Sequence, residues 1–463
     1  TMKDLTQGDE AGTLISFAIP MLIGNVFQQF YNMVDSFVVG RFVGTEALAA
    51  VGVSFPVIFL LISLIMGITM GSSVLISQYF GARDSYHLSR TVGTSYLFLG
   101  GAGLAMSILG ALAVPFILRI LAVPASITKE ASTYMTIILG GMLVTFGYNG
   151  VSAMLRGVGD SKTPLYLLIA ASLLNVVLDL VFVIVFHWGV AGVAWATILA
   201  QACSFLGAMW IFNRAGSRSA HMRLERSMLT WDREIFGTML KIGLPTGLQQ
   251  TLVSLGMMML TRIVNQFGPA TMAAYTAAAR IDSFASMPAM NLSQALMTFT
   301  GQNMGAGKTE RVHKGHRAAI IINSFISLAI TLLVTLAGKY LVGIFTPDAE
   351  VIHIGARYLF IVGMFYVLFG TMFINNGVMR GAGDVFIPMI NTLLALWIVR
   401  IPCALLFTRV FAMGSDGIWW SIPAGWLVGF LFSTWYYRTG RWKTKVLVRR
   451  PAAVPAGAES PEM

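Results

Sequence analysis

Two acids stand where an apolar chain should carry none. Asp35 lies in PMLIGNVFQQFYNMVDSFVVG, the stretch from Pro20 to Gly40, and Asp179 lies in a second helix-length apolar run, four residues after Asn175. A carboxylate inside hydrocarbon costs roughly 2.5–3.5 kcal/mol on insertion scales, so such a residue marks a bundle interior, a water-filled cavity or a proton path. Gly24, Gln28, Tyr31 and Asp35 recur at spacings of 4, 3 and 4, which puts all four on one stripe of a helix. Two buried carboxyls with amide and hydroxyl neighbours suit protons, shared by the pair as a unit, or a hard cation held by oxygens.

The elements that must position these groups are membrane spans. The 463 residues are 56% hydrophobic and only 11% charged, and a mean hydropathy of +0.75 is far too high for a soluble domain. Mainly apolar windows fall at about 13–39, 50–76, 92–118, 128–154, 163–186, 190–212, 237–263, 271–299, 318–343, 352–378, 385–408 and 416–437, twelve helices in all. The formal charge of +11 comes from Lys and Arg in short connections without interleaved aromatics, which argues for topology and against nucleic acid. Placing both termini on the cytoplasmic side puts 22 of the 31 Lys and Arg there and seven on the other face. Cys203 and Cys403 stand alone in apolar runs and offer neither a disulfide framework nor a metal site. No cofactor is expected.

The chain repeats itself. QYFGA at Gln78 returns as QNMGA at Gln302, and LRGVGD at Leu155 as MRGAGD at Met379, both 224 residues on; Tyr134 maps to Tyr358 in the same way. Six helices per repeat is an even number, so the halves share one orientation and are related by a pseudo-two-fold axis along the membrane normal. The expected organisation is an all-α membrane protein of two six-helix bundles, residues 1–212 and 237–440, joined by a cytoplasmic linker, 213–236, and followed by a disordered tail, 441–463.

Helix direction alternates, so depth follows at about 1.5 Å per residue. Asp35, Tyr134, Asn175, Asp179 and Thr197 all fall in the outer half of the first bundle. The second bundle has Met259, Val399, Cys403 and Ile422 where Asp35, Asn175, Asp179 and Thr197 stand in the first. Ion chemistry is therefore expected in the first bundle alone. The second offers Met257, Met258, Met259, Met287 and Met290, polarizable side chains that suit variable apolar ligands. The bland readings are core packing for these methionines, structural pairing for Arg280, Asp282 and Arg400, tight turns for the two RGxGD sequences, and a solvated basic face for His313 and His316.

As a combination, the six-plus-six layout, the loop at Gln78, the turns at Arg156 and Arg380 and the QxxYNxxD pattern from Gln28 to Asp35 resemble the multidrug and toxic compound extrusion (MATE) transporters, DinF-like branch, over roughly residues 10–440. The resemblance implies that Asp35, Tyr134, Asn175, Asp179 and Thr197 form the cation-coupling cluster, that Gln28, Tyr31 and Asn149 line the same cavity, and that the first helix bends at Pro20, with Gly24 permissive. It implies a multi-pass, monomeric antiporter of the bacterial cytoplasmic membrane that exports amphipathic, mostly cationic drugs in exchange for protons. Sodium, held at Asp35, Asp179, Asn175 and Thr197, is the alternative ion. A flippase for lipid-linked sugars calls for a basic cleft, and an intramembrane aspartyl enzyme for a GxGD motif within a span; neither is present.

Overall fold

In the computed structural model, residues 3–121, 123–216 and 230–448 are described, and the side chains of Thr45, Leu64 and 212–216 are left aside. Every regular element among them is helical. The first bundle holds α1 (Glu10–Val38, extended by a π turn, Val39–Val43), α2 (Thr45–Ala82), α3 (Ser85–Ile120), α4 (Ala125–Gly140 and Met142–Gly157), α5 (Lys162–Leu180, with a π turn, Val181–Val185) and α6 (Gly189–Gly216). The second holds α7 (Arg233–Asn265), α8 (Pro269–Gly305), α9 (Thr309–Gly343), α10 (Ala349–Gly363 and Tyr366–Ala382), α11 (Phe386–Leu393, a π turn, Leu394–Arg400, and Ile401–Arg409) and α12 (Asp416–Thr439). The twelve expected spans are these twelve elements.

Local chemistry sets their ends. Asp9, Asp232 and Asp348 accept from the first free N–H groups of α1, α7 and α10, and Asp160 of the first RGxGD turn accepts from the N–H groups of Lys162 and Thr163 at the start of α5. Spans 4 and 10 are each broken, by 46° at Gly141 and by 51° between Gly363 and Tyr366. Gly141 and Phe365 are 224 residues apart, so the break is part of the repeat.

Each bundle has its own apolar core, and a third core belongs to both. In it, Leu5 and the α1 residues Leu14 and Phe17 pack with Leu292, Leu296 and Phe299 of α8. The half of α1 before Pro20 is thus anchored in the second bundle, reinforced by Arg311 on Glu10 at 2.9 Å. The half after it packs on α5, where Gly24 meets Leu165 and Leu168.

The bundles meet by backbone. Gly67 and Gly71 of α2 lie against Gly243, Gly247 and Met239 of α7, with room for no side chain between them, a GxxxG-on-GxxxG approach. Among the described residues, the hydrogen bonds that join α1 or α2 to the second bundle all lie in the half nearer the termini. Asn25 to Asn291, at 2.8 Å, is the one farthest from the chain ends. The molecule is shut at the face that carries both termini.

Two expectations change here. The tail expected to be disordered from residue 441 starts as a packed 3-10 turn, Arg441–Lys445, because Trp442 is fully buried against His313 and Tyr437; residues 449–463 lie outside the described ones, as do residues 217–229 of the linker. His313 and His316 are not a solvated face. They belong to α9, where His316 stacks on Tyr437 at 3.9 Å and meets Asn375 Oδ1 at 2.7 Å.

Candidate functional site

α1 and α5 run side by side in the same direction with matched stripes. Leu168, Ser172, Asn175 and Asp179 repeat the 4, 3, 4 spacing of Gly24, Gln28, Tyr31 and Asp35. Because Gly24 packs on Leu168, the two stripes face each other level by level, and both acids arrive at the same height. Asp35 and Asp179 come within hydrogen-bonding reach of one another. Asp179 and Asn175 are 0% and 1% exposed. In each carboxyl, Oδ1 has no hydrogen-bond partner among the described residues. Buried polar oxygens are rarely left so, since an unmet acceptor costs about 1–3 kcal/mol, and a proton or a cation is the ordinary remedy.

The remaining members close around the pair. Tyr31 reaches the Thr197 hydroxyl of α6 at 3.4 Å. Tyr134, buried on the first half of α4, lies near enough to Asp35, Asp179 and Tyr31 to feel their charge. The Asn175 amide ties the pair to α6: its nitrogen donates to Asp179 Oδ2 at 3.0 Å while its oxygen accepts from the Thr197 N–H at 3.2 Å, which satisfies both ends.

Beside this cluster, one helical turn nearer the termini, a narrow cleft of about 40 Å³ is lined by Gln28 and Tyr31 of α1, Tyr148 of α4, Ser172 of α5 and Thr197 and Gln201 of α6, among others. Tyr31 and Thr197 belong to both, so what fills the cleft touches the side chains that touch the acids. Asn149 does not line it. Its amide turns back to the Thr145 carbonyl at 2.9 Å, and the neighbouring Tyr148 takes the cleft position. Ser172 and Gln201 were missed by sequence reasoning, although Ser172 continues the stripe of Asn175 and Asp179 and was legible by that rule.

In the second bundle Met257 and Met258 are 41% and 66% exposed and Met287 is buried, so the methionines form no common lining. Three successive residues span about 200° of a helix and cannot all face one cleft. Asp282 accepts from Tyr366 at 2.7 Å and from Tyr358, the repeat mate of Tyr134, at 3.4 Å. The nearby Arg400 is buried in the π turn of α11 with Nε unpartnered.

Comparison with known proteins gives a consistent picture. The family model MatE matches residues 20–181 and 245–406, one copy per bundle. The chain is 32% identical over 447 residues to the Probable multidrug resistance protein YpnP of Bacillus subtilis, covering 96% of this chain and 98% of that protein. Among solved structures, one described as MATE in the bent conformation superposes with a TM-score of 0.89 at 26% identity, covering 95% of this chain and 97% of that one. Another, described as the outward-facing conformation of a multidrug resistance MATE family transporter, gives 0.88 at 26% identity, covering 95% and 98%.

Proposed function

The chain belongs to the MatE family of multidrug transporters, and on that premise we propose that it is a secondary antiporter exporting amphipathic organic cations in exchange for protons taken up at Asp35 and Asp179. The observation that carries this reading is the meeting of a buried carboxyl, Asp179, with a half-buried one, Asp35, each with a buried and unpartnered oxygen, beside a cleft that shares Tyr31 and Thr197 with them. When both acids are deprotonated the site is anionic and favours a cation in the cleft. Protonation neutralises it and weakens that hold. Each ligand changes the affinity for the other through the same few side chains, which is the linkage an exchanger needs.

The movement that delivers drug to the far face has a hinge in α1. Proline has no N–H to offer the preceding turn, so the helix is weakest around Pro20. The helix before it is fixed in the second bundle and the helix after it carries Asp35 along the first. A bend there changes the relation of the two bundles and the setting of the acid together. Asn149 and the methionines Met257 and Met287 are not part of this scheme.

The bacterial relatives support a cytoplasmic membrane location and the Lys and Arg balance supports both termini inside, and the closed terminal face then makes this the outward-facing state. One chain supplies both bundles and every member of the site, which supports a monomer. A lipid-linked sugar would meet two carboxyls here, an unsuitable host for an anion.

Asp35→Asn tests the reading. In proteoliposomes with pH and sodium gradients imposed separately, it should abolish proton-driven export of a cationic dye while insertion is retained; full retained transport removes Asp35 from coupling. Sodium is the second reading, and the unpartnered Oδ1 of each acid is what favours it, since two converging carboxyls with the Thr197 hydroxyl nearby suit a hard cation. A sodium gradient that drives export at fixed pH selects it.

A further inference from the structure

The two motifs that mark the internal repeat, QxxGA and RGxGD, take no part in the site above, and the structure puts them in contact across the bundles. Gln78 of the first bundle donates from Nε2 to the Gly381 carbonyl in the second bundle's RGAGD turn at 2.9 Å, and its Oε1 accepts from the N–H of Leu447 at 3.0 Å. Gln302 of the second bundle donates to the Gly157 carbonyl in the first bundle's RGVGD turn at 3.1 Å, and its Oε1 accepts from the N–H of Leu5 at 2.9 Å. Both glutamine side chains are fully buried. Gln78 and Gln302, like Gly157 and Gly381, are 224 residues apart, so the two sets of contacts are the same contact made twice.

The chain ends obey the same dyad. Lys3-Asp4-Leu5 and Lys445-Val446-Leu447 are both Lys-x-Leu. The carbonyl of each lysine lies over the left-handed glycine of the RGxGD turn of its own bundle: Lys3 on Gly159, with φ +87°, and Lys445 on Gly383, with φ +100°. A Cβ on either glycine would collide with that carbonyl, and neither conformation suits an L side chain. Each tripeptide is therefore gripped between the turn of its own bundle and the glutamine of the other. Between the two grips α2 and α8 touch backbone to backbone: a Cβ on Gly81 would run into the Gln302 carbonyl, and one on Gly305 into the Gln78 carbonyl.

We propose that this reciprocal clasp, with the two Lys-x-Leu ends as its bolts, is the lock of the terminal face. Opening that face requires both glutamines to release the opposite turn and both chain ends to leave their grooves together. The proposal rests on the reading of the chain as an alternating-access transporter, but not on which ion or drug it carries.

The test is a distance measurement on the full chain, with Cys203 and Cys403 replaced by serine and spin labels at Lys162 and Phe386. These are repeat mates, both exposed, immediately beyond the two RGxGD turns. The parent should give one short-distance population. Q78A with Q302A should add a longer one, raising the open-to-closed ratio at least about tenfold for the four hydrogen bonds removed. Gly81→Ala with Gly305→Ala keeps both glutamines and wedges the crossing apart, and should produce the same long population; this pair decides the matter if the glutamine variants fail to insert. An unchanged distance distribution in the inserted variants overturns the clasp. Neither drug nor gradient enters the measurement, so failure of proton coupling at Asp35 would leave this result standing on its own.

Discussion

Asn175→Ala removes the amide donor that, among the described residues, reaches the acid pair. With its nitrogen 3.0 Å from Asp179 Oδ2, the amide donates to a fully buried carboxyl, and a donor aimed at a carboxyl oxygen favours the charged form. A hydrogen bond to a charged group contributes about 1.5–3 kcal/mol, and about 1.4 kcal/mol corresponds to one pH unit. The sign follows from which form is favoured. The donor stabilises the deprotonated, cation-binding cluster, so without it the cluster keeps its proton to higher pH. The pH midpoint for binding a fluorescent organic cation should rise by about 1–2 units, read by anisotropy of purified protein between about pH 5 and 9. Ser36→Ala is the control: the hydroxyl is next to Asp35 in sequence, but it is exposed and bonded back to the Asn32 carbonyl at 2.9 Å, and the midpoint should stay in place. A midpoint in Asn175→Ala that matches the parent, or falls below it, refutes the proposed proton cluster.

Three further outcomes are expected. Gly67→Ala places a Cβ 2.5 Å from the Gly243 carbonyl oxygen and 2.7 Å from the Gly247 nitrogen, both backbone atoms that cannot turn aside. Overpacking of this kind costs about 1–3 kcal/mol, so the melting temperature should fall, whereas Gly100→Ala, inside a helix with nothing within 4 Å, should hold or raise it. Asp282→Asn should lower thermal stability through its bonds to Tyr366 and Tyr358 yet leave proton-driven export working; loss of coupling would place ion chemistry in the second bundle. Gln201→Ala enlarges the cleft and frees Thr145, its partner at 2.7 Å, and should change the relative affinities of a panel of cationic drugs without altering the ion requirement; an unchanged rank order would remove the cleft from drug selection.

The height of the acid pair was legible because two parallel helices carry the same spacing, and spacing on a helix is geometry. Gln28, Tyr31, Asn175, Asp179 and Thr197 come together for that reason. Asn149 was misplaced because one residue turns a helix by about 100°, enough to exchange it with Tyr148. His313 and His316 read as a polar loop since the apolar window starts at 318, whereas α9 starts at Thr309 and its first turns are covered by the aromatic end of α12. The breaks at Gly141 and Phe365 left no mark in hydropathy, because a bent span is as apolar as a straight one. The repeat was visible but its purpose was not: hydrogen bonds between Gln78 and Gly381 join residues 303 apart, and nothing local to either predicts the other.

The dyad bears on descent. A contact that a structure makes twice across a two-fold axis is one that a single half can make with a copy of itself. Gln78 on Gly381 and Gln302 on Gly157 would become one contact repeated in a pair of identical six-helix chains, each bringing its own QxxGA and RGxGD sequences. A fused gene needs only one such contact from each half to close, and its two halves are thereafter free to diverge at every position that the crossing does not use. The positions of Asp35 and Asp179, now Met259 and Cys403 in the second copy, are among those that diverged, whereas the glutamines and glycines of the crossing stayed in both.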